Sequence, residues 1–376
     1  MTGVCNSSLI GKPVECIDTP ALLVDYDILE RNILQLQRAS DQAGLAVRPH
    51  MKAHKTPQIA HMQIRAGAIG LSCAKLGEAE AMAAAGVEDL FIANSLVGTP
   101  KMARLVALAR QVPRLSVAVE SIVSAQQMND AFTAAGMELQ VSIELEIGSG
   151  RAGVMPEKAV EFARELQQLP ALKLRGIMGY AGGLMYDART EQGRVASAAE
   201  EGRRLSATAE TLRDAGFDIQ VVSGGGTPTA GRYRRDCGLT EVRCGTYCLN
   251  DYNQVDLGAC TAVDVAATVL STVISIPADD RIICDAGTKA LDQAVSDLTE
   301  GFGWVKGYEG GNVFRINDEH GYIDRRRLQA DLAIGDRVEI YPPRICTCLN
   351  LYDFMYVIQD GHVRDIWQIT ARGANT

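Results

Sequence analysis

The sequence predicts an α/β fold in which a (β/α)8 barrel of the TIM type is followed by a smaller, mainly β domain. Between residue 20 and about residue 250, short apolar runs alternate with amphipathic helical stretches, a pattern that indicates βαβ units and a parallel sheet. After Cys260 the helical stretches give way to short strands and turns that contain Gly and Asn. The predicted domains are residues 20–255 for the barrel and residues 256–376, together with 1–19, for the β domain.

The apolar runs give the predicted strands of the barrel in chain order. They cover residues 21–26, 45–53, 69–75, 89–97, 114–121, 139–147, 172–180, 219–226 and 241–249. Several of the helical stretches between them end at a glycine, as expected just beyond a helix C-terminus. If the first run is set aside as a strand that precedes the barrel, eight runs remain, which is the number that closes a (β/α)8 barrel.

The composition disfavours several classes of protein. Hydrophobic residues make up 47% of the chain and charged residues 22%, which is typical of a globular protein with a sizeable core. The 37 Lys and Arg residues and the 46 Asp and Glu residues give a net charge of −9, which disfavours nucleic acids and anionic membranes as partners. The longest apolar stretch, which starts at Cys260, contains Asp264 and alternates like a strand, so no membrane span is expected.

The N-terminus and the cysteines indicate the cytoplasm. The first 20 residues lack the basic and apolar regions of a secretory signal. Ten cysteines in 376 residues are too sparse for a disulfide scaffold, and no CxxC pair occurs. We therefore expect a cytoplasmic protein with reduced thiols.

A basic segment in the first barrel strand is the most unusual feature of the chain. On a strand, the side chains of Arg48, His50, Lys52 and His54 would point the same way. Four basic groups that converge in a barrel mouth require an anion to neutralise them. A phosphorylated cofactor would supply that anion, and it would also desolvate a lysine and lower its pKa, as a Schiff-base lysine requires. The alternative is a solvated basic loop before a helix.

A run of glycines follows the predicted seventh barrel strand. Gly224, Gly225 and Gly226 would let backbone N–H groups approach phosphate oxygens, and Thr227 would add a hydroxyl donor. Barrels commonly place a phosphate site at this position. Tyr247, on the predicted eighth strand, would then close over the same phosphate. The alternative is a plain flexible turn.

A glycine-rich loop carries Arg151. Gly148, Gly150 and Gly153 let the chain turn sharply after the predicted fifth barrel strand. The loop would present Arg151 to the barrel mouth, where a guanidinium would stabilise a phenolate oxygen. The alternative is an ordinary surface arginine.

Ten short motifs in one order closely resemble those of the D-threonine aldolase / D-serine dehydratase-like family. They are TPALLVDYDILERNI, RPHMKAHK, SCAKLGEAEAM, GSGRAGV, GIMGY, SGGGT, CGTY, DAGTK, NDEHG and DIWQITARG. Members of this family are fold-type III pyridoxal-phosphate enzymes with an alanine-racemase-like barrel followed by a β domain. Single motifs are weak signals, but ten in register over most of the chain are specific.

The resemblance assigns roles to the barrel residues. It implies that Lys52 is the Schiff-base lysine, with His50 beside it among the cofactor-binding residues. Arg151 matches the residue that hydrogen-bonds the cofactor phenolate, and Tyr180 matches the tyrosine beside the pyridine ring. Residues 224–227, with Tyr247, match the phosphate site.

The sequence departs from the family where many members bind a divalent metal through a His-x-Cys or His-x-Asp pair. Arg344 stands at the histidine position, and arginine cannot ligate a metal. Cys346 keeps the second position, but Cys346 and Cys348 together fall short of the usual three or four ligands. Whether a divalent metal binds is therefore left open. Arg344 would instead anchor an anionic substrate group, with His320 and Asp353 as further polar candidates for substrate binding.

The resemblance also implies a function. The first hypothesis is a lyase that uses pyridoxal 5′-phosphate to cleave a D-3-hydroxy amino acid by a retro-aldol reaction, with a D-3-hydroxyaspartate-type compound as one candidate substrate. The alternatives are a D-serine or 3-hydroxyaspartate dehydratase, an amino-acid racemase, and a non-catalytic pyridoxal-phosphate-binding protein. In the relatives the β domain completes the active site of the neighbouring subunit, so the resemblance implies a homodimer.

Overall fold

The structure is a computed structural model that describes residues 7–293, 300–329 and 331–376. Its strands, in chain order, are β1 Ala21–Asp25, β2 Ala46–Val47, β3 Leu71–Cys73, β4 Asp89–Ile92, β5 Arg114–Val119, β6 Leu139–Leu145, β7 Leu172–Gly179, β8 Val221–Gly224, β9 Glu241–Val242, β10 Ala267–Ala278, β11 Arg281–Cys284, β12 Trp304–Val305, β13 Val313–Ile316, β14 Gly321–Asp324, β15 Arg337–Tyr341, β16 Phe354–Gln359 and β17 His362–Gln368. Its α-helices are α1 Tyr26–Ala43, α2 Pro57–Ala66, α3 Leu76–Ala84, α4 Thr99–Ala109, α5 Ile122–Ala135, α6 Ala159–Gln167, α7 Gly182–Asp187, α8 Glu191–Asp214, α9 Tyr252–Asp256, α10 Thr288–Leu291 and α11 Ile345–Cys348.

The helix ends follow from local sequence. The side chain of Ser121 accepts a hydrogen bond from the amide of Val123 at the start of α5, and Gly136 ends this helix with a φ of 65°. Thr190 caps α8 in the same way by accepting a hydrogen bond from the amide of Gly193. These caps satisfy backbone groups that the helices leave without internal partners.

Eight strands, β2 to β9, form a closed barrel. Every neighbouring pair is parallel, in the order β2-β9-β8-β7-β6-β5-β4-β3. The two ends of this order also meet, because His50 bridges Ser72 in parallel and the amide of Ile69 donates to the carbonyl of Val47 over 2.9 Å. The predicted barrel is therefore confirmed. In the β8–β9 connection, however, a single 3-10 helix, Thr227–Thr229, stands in place of an α-helix.

A second sheet of nine strands contains the β-rich part of the chain. Its main path is β13-β14-β11-β10-β1-β16-β17, and β15 joins it by pairing with β10 and β12. The first predicted strand, β1, lies here and pairs antiparallel with β10 and parallel with β16. Leu23 and Leu270 are buried in its apolar cluster together with Ile17 and Val363. The mainly β character predicted for the second part of the chain is confirmed.

By compactness the chain divides into two units. The β unit contains the residues up to Ile33, Ala53–Gln58 and Thr246–Gly373, and the barrel unit contains Leu34–Lys52, Ile59–Gly245 and Ala374–Thr376. The domains 20–255 and 256–376 with 1–19 stay a prediction, and residues 1–6 of that prediction lie outside the described residues.

The cysteines and the helices of the described residues were also subjects of prediction. None of the nine cysteines in the described residues forms a disulfide, and Cys5 lies outside those residues. None of the helices in the described part of the chain combines the length and the apolar character that a membrane span requires.

Candidate active site

The barrel places the candidate cofactor residues at one rim. Because the eight strands are parallel, the segments that follow their carboxyl ends lie at the same end of the barrel. Lys52 follows β2, Arg151 follows β6, Tyr180 follows β7, and the run Gly224–Gly226 begins at the last residue of β8. The topology therefore brings these four predicted elements of the site to one end of the barrel.

The segment that contains Lys52 leaves the strand earlier than predicted. β2 ends at Val47, His50 forms only a single bridge with Ser72, and Met51–Ala53 forms a 3-10 helix. The prediction that four basic side chains share one strand face is therefore wrong. Lys52 is exposed, whereas His50 is buried.

Arg48 is neutralised by the protein itself. Its Nη1 donates to Asp89 Oδ1 over 2.5 Å and its Nε donates to Glu241 Oε2 over 3.0 Å. Burial acts to lower the pKa of Arg48, but the two carboxylates hold that pKa above its ordinary value. Contrary to the sequence-based expectation, this arginine needs no bound anion.

The glycine run packs against its neighbours too closely to carry side chains. Gly225 has a φ of +92°, a left-handed conformation that favours glycine. A Cβ on Gly226 would lie 2.7 Å from Met185 Sδ and 3.2 Å from Tyr180 Cε2. Thr227 is buried and begins the 3-10 helix that follows. The space beside Gly226 is thus already filled by Met185 and Tyr180, so this position requires glycine and its backbone packs against Tyr180.

Arg151 and Tyr180 are neighbours at the rim. The Cζ atom of Arg151 lies 5.8 Å from the ring centroid of Tyr180. Arg151 Nη2 lies 3.9 Å from Glu144 Oε1, and the arginine side chain is 62% exposed. Burial raises the pKa of Tyr180 and that of Glu144, and Arg151 opposes both shifts. An accessible guanidinium therefore stands beside an aromatic ring and a buried carboxyl group.

Glu146 organises the loop that carries Arg151. Its carboxylate accepts hydrogen bonds from the amides of Gly148, Ser149, Gly150 and Arg151 over 2.6 to 3.2 Å, and from the Ser149 hydroxyl over 2.5 Å. Burial acts to raise the pKa of Glu146, but these hydrogen bonds lower it to about 2. The glycine-rich loop is thus held in shape by an ionised carboxylate.

Cys244, which sequence reasoning did not single out, links the lysine segment to the glycine run. Its carbonyl accepts a hydrogen bond from the amide of His50 over 3.0 Å, and its thiol donates to the carbonyl of Gly226 over 3.2 Å. Burial raises the pKa of the Cys244 thiol to about 12, so it remains a protonated donor near neutral pH. Its only sequence signal was its place on the predicted eighth strand.

In the β unit, Arg344 is the exposed residue that precedes α11. The carboxylate of Asp251 accepts hydrogen bonds from the amide of Ile345 over 3.1 Å and from the amide of Gln254 over 3.2 Å. Burial raises the pKa of Asp251 to about 7, and Arg344 opposes that shift. Across residues 7–293, 300–329 and 331–376, no salt bridge within 4.0 Å joins Arg344 to a carboxylate.

The two candidate metal-binding cysteines differ in environment. Cys346 is half-buried, with its thiol 3.7 Å from the Thr246 hydroxyl. Cys348 is buried and donates to the carbonyl of Ala290, and burial raises the pKa of its thiol, which disfavours the thiolate that metal ligation needs. Within the described residues, no group of three His, Cys, Asp or Glu side chains is arranged to hold a metal ion.

The other predicted site residues of the β unit are placed as follows. Asp353 pairs with Arg372 over 2.8 Å, and both side chains are partly exposed. His320 is exposed in the turn between β13 and β14. Tyr247 is buried in the 3-10 helix Thr246–Cys248.

Comparison with known proteins places the chain in a family. Residues 24–252 match the sequence profile described as alanine racemase, N-terminal domain, and residues 266–358 match that of a serine dehydratase domain. The chain belongs to the alanine racemase N-terminal domain family. This family membership agrees with the fold-type III resemblance of its motifs.

Three proteins that are more than 30% identical to the chain over nearly its whole length are named as aldolases or as a dehydratase. The D-threonine aldolase of Arthrobacter sp is 34% identical over 96% of this chain and 95% of its own. The D-threo-3-hydroxyaspartate dehydratase of Delftia sp. (strain HT23) is 34% identical over 93% of this chain and 96% of its own. The crystal structure of D-threonine aldolase from Filomicrobium marinum superposes with a TM-score of 0.87 at 31% identity and covers 98% of both chains. The chain is a pyridoxal-phosphate-dependent lyase of the alanine racemase-like fold.

The described barrel residues fit this cofactor. Lys52 is an exposed residue whose amine would receive the aldehyde, and residues 224–226 carry no side chain that would obstruct the phosphate. Arg151 offers an exposed guanidinium for its phenolate oxygen.

Proposed function

We propose that this alanine racemase-like lyase catalyses the retro-aldol cleavage of a D-3-hydroxy amino acid whose side chain ends in a carboxylate, as in D-3-hydroxyaspartate. The observation that carries the proposal is Arg344, an exposed arginine that no carboxylate of the described residues pairs with. An arginine in such a position binds a ligand carboxylate through two parallel hydrogen bonds.

The names of the relatives support this substrate class. One is an aldolase of D-threonine and the other a dehydratase of D-threo-3-hydroxyaspartate. Both substrates are D-amino acids with a 3-hydroxyl group, and the second also carries a side-chain carboxylate. The positive charge of Arg344 favours the acidic member of this class.

The proposal assigns the cofactor to residues predicted from the sequence. They are His50, Lys52, Arg151, Tyr180, Gly224, Gly225, Gly226, Thr227 and Tyr247. Pyridoxal 5′-phosphate, when bound, stores the electrons released as a bond at the amino-acid Cα breaks. Lys52 would hold its aldehyde carbon, and Arg151 would donate a hydrogen bond to its phenolate oxygen. The loop held by Glu146 sets the position of that guanidinium.

On the substrate side, Arg344 binds the side-chain carboxylate and thereby orients the 3-hydroxyl group. Retro-aldol cleavage starts with removal of the hydroxyl proton and ends with release of glycine and an aldehyde. Arginine has no lone pair to offer a metal ion. We therefore propose that Arg344 binds the substrate carboxylate directly through its positive charge. His320 and Asp353 are the further polar residues that we propose on the substrate side.

We also propose that the chain acts as a homodimer in the cytoplasm. The net charge of −9 and the sparse cysteines support a cytoplasmic protein. The family resemblance supports an assembly in which the β domain of each subunit completes the active site of its partner. The mass of the purified protein by light scattering tests this assembly directly.

A product assay tests the function. The purified protein with added pyridoxal 5′-phosphate is incubated with D-3-hydroxyaspartate, D-threonine, D-serine and D-alanine. Glycine and glyoxylate from D-3-hydroxyaspartate are the expected products. Oxaloacetate and ammonia would instead identify a dehydratase, conversion of D-alanine to L-alanine a racemase, and no turnover a cofactor-binding protein.

A further inference from the structure

A buried carboxyl group, Glu201 on α8, lies within the barrel unit next to the glycine run. Its residue exposure is 0%, and burial raises its pKa. A carboxyl group in such a place is destabilising unless hydrogen-bond donors surround it. The side chain of Arg243 is also buried and provides an opposing positive charge, which acts to lower the pKa of Glu201.

The two oxygens of Glu201 join two segments of the cofactor rim. Oε1 accepts a hydrogen bond over 3.3 Å from the amide of Ala181, the residue directly after Tyr180. Oε2 accepts a hydrogen bond over 3.2 Å from the amide of Gly225 and another from the hydroxyl of Tyr233. One side chain therefore contacts both the end of β7 and the glycine run after β8.

A second path connects the same carboxyl group to the next glycine. The Tyr233 hydroxyl lies 2.7 Å from the Thr229 hydroxyl, which in turn accepts from the amide of Gly226 over 3.4 Å. With Tyr233 donating to Glu201, the Tyr233 oxygen accepts from Thr229. The donors of this path thus all point towards the carboxyl group.

We infer that Glu201 is a positioning residue for the cofactor phosphate, because it fixes the conformation of Gly225 and Gly226 and ties them to the segment of Tyr180. The inference rests on the proposed assignment of residues 224–227 to that phosphate. Glu201 touches neither cofactor nor substrate in this arrangement and acts through the backbone of the glycine run.

The substitution Glu201→Gln preserves size but replaces one acceptor oxygen with an NH2 donor. Two backbone N–H groups and the Tyr233 hydroxyl converge on this side chain. The amide therefore leaves the N–H group of either Ala181 or Gly225 facing another donor, so the link between the two segments is broken. The control Glu210→Gln removes the same charge from an exposed position of the same helix.

The test compares the affinity of the enzyme for pyridoxal 5′-phosphate with its affinity for pyridoxal, which lacks the phosphate. Both are titrated by absorbance into protein stripped of cofactor, and inorganic phosphate is used as a competitor. Glu201→Gln is expected to weaken binding of the phosphorylated form by about tenfold, as for one lost hydrogen bond to a charged group. Pyridoxal binding should change by less than about twofold, and Glu210→Gln should match the wild type.

Equal weakening of both ligands, or an unchanged preference for the phosphorylated form, would overturn the inference. If Glu201→Gln does not fold, Tyr233→Phe decides instead, because it breaks the path to Gly226 and leaves both backbone contacts of Glu201 in place. A lowered phosphate preference in Tyr233→Phe supports the inference and an unchanged one overturns it. A wild-type protein that does not prefer the phosphorylated form would refute the phosphate assignment itself.

Discussion

The carboxylate of Asp251 accepts a hydrogen bond over 3.1 Å from the backbone amide of Ile345, the residue that follows Arg344. On the other side of Arg344, the carbonyl of Pro342 accepts from the amide of Tyr252 over 3.1 Å. The backbone on both sides of the proposed substrate-binding arginine is thus held by the segment that begins α9. A change in the protonation state of Asp251 therefore changes the strength of the hydrogen bond that holds the segment of Arg344.

This relationship predicts a pH-dependent stability difference. Burial raises the pKa of Asp251 from 3.8 to about 7 in the folded chain. The folded state then binds more protons than the unfolded state between these pH values, so the stability that this group contributes is present at low pH and is lost as the pH rises through about 7. Asp251→Asn cannot titrate. Its free energy of unfolding relative to the wild type should therefore rise between pH 5 and pH 8, by on the order of 2 kcal/mol.

Urea unfolding of both proteins at pH 5, 6, 7 and 8 measures this difference. Taking the difference between variant and wild type cancels the other groups that titrate in this range. A difference that does not change with pH would mean that Asp251 is ionised throughout the range.

Lys52 is expected to carry the cofactor. Borohydride reduction of the holoenzyme followed by peptide mapping should place the pyridoxyl group on Lys52, since this exposed lysine follows β2 at the barrel rim. Lys52→Ala should lose both the visible absorbance band and turnover. Label on Lys55 or Lys289 would contradict the assignment.

Arg344 is expected to select for an anionic side chain. Arg344→Gln should lower kcat/KM for D-3-hydroxyaspartate by tenfold or more, because each hydrogen bond to a charged group contributes roughly 1.5–3 kcal/mol. The same variant should change kcat/KM for D-threonine by less than about threefold. The matched control is Arg281→Gln, which removes a half-buried arginine of β11 that pairs with Asp280. Equal losses with both substrates would argue against a contact between Arg344 and the side-chain carboxylate.

Turnover is expected to survive EDTA. Arg344 occupies the position of a metal-binding histidine and cannot replace it as a ligand, while burial keeps the thiol of Cys348 protonated. Activity is measured before and after chelation and again after addition of Mn2+, Mg2+ or Zn2+. Loss in EDTA with recovery on adding one of these ions would point to Cys346 with Cys348 or His320 as the ligands. Arg344→His should introduce metal dependence if the Cys346 thiol is accessible.

The barrel was predictable because its signal is periodic. Apolar runs that alternate with helices indicate a parallel sheet, and eight of them match the number in a (β/α)8 barrel. The placement of β1 was not predictable in the same way, since a single apolar run such as Ala21–Asp25 carries no information about its partner strands. Its pairing with β10 and β16 depends on residues far along the chain.

The candidate site was predictable where motifs mark it and not where tertiary contacts create it. The glycine run and Arg151 carry local signals, and the structure places them at one rim with Tyr180. The neutralisation of Arg48 by Asp89 and Glu241 depends on three different strands or their ends, so no local pattern reveals it. Glu201 lies in a polar stretch of α8 whose charges look solvent-exposed in the sequence.

The pairing of β1 has a consequence for synthesis of the protein. Leu23 in β1 lies beside Thr268 in β10 and Tyr356 in β16. During synthesis, all eight barrel strands therefore emerge from the ribosome before either partner strand of β1. Since domains generally fold as units during synthesis, we expect the barrel to form while β1 is still unpaired, because β10 and β16 have not yet been synthesised. A chain that stops before β16 would leave one edge of β1 unpaired, and an open edge of this kind recruits strands from other molecules. Truncated or stalled chains of this protein are therefore expected to aggregate through their N-terminal strand.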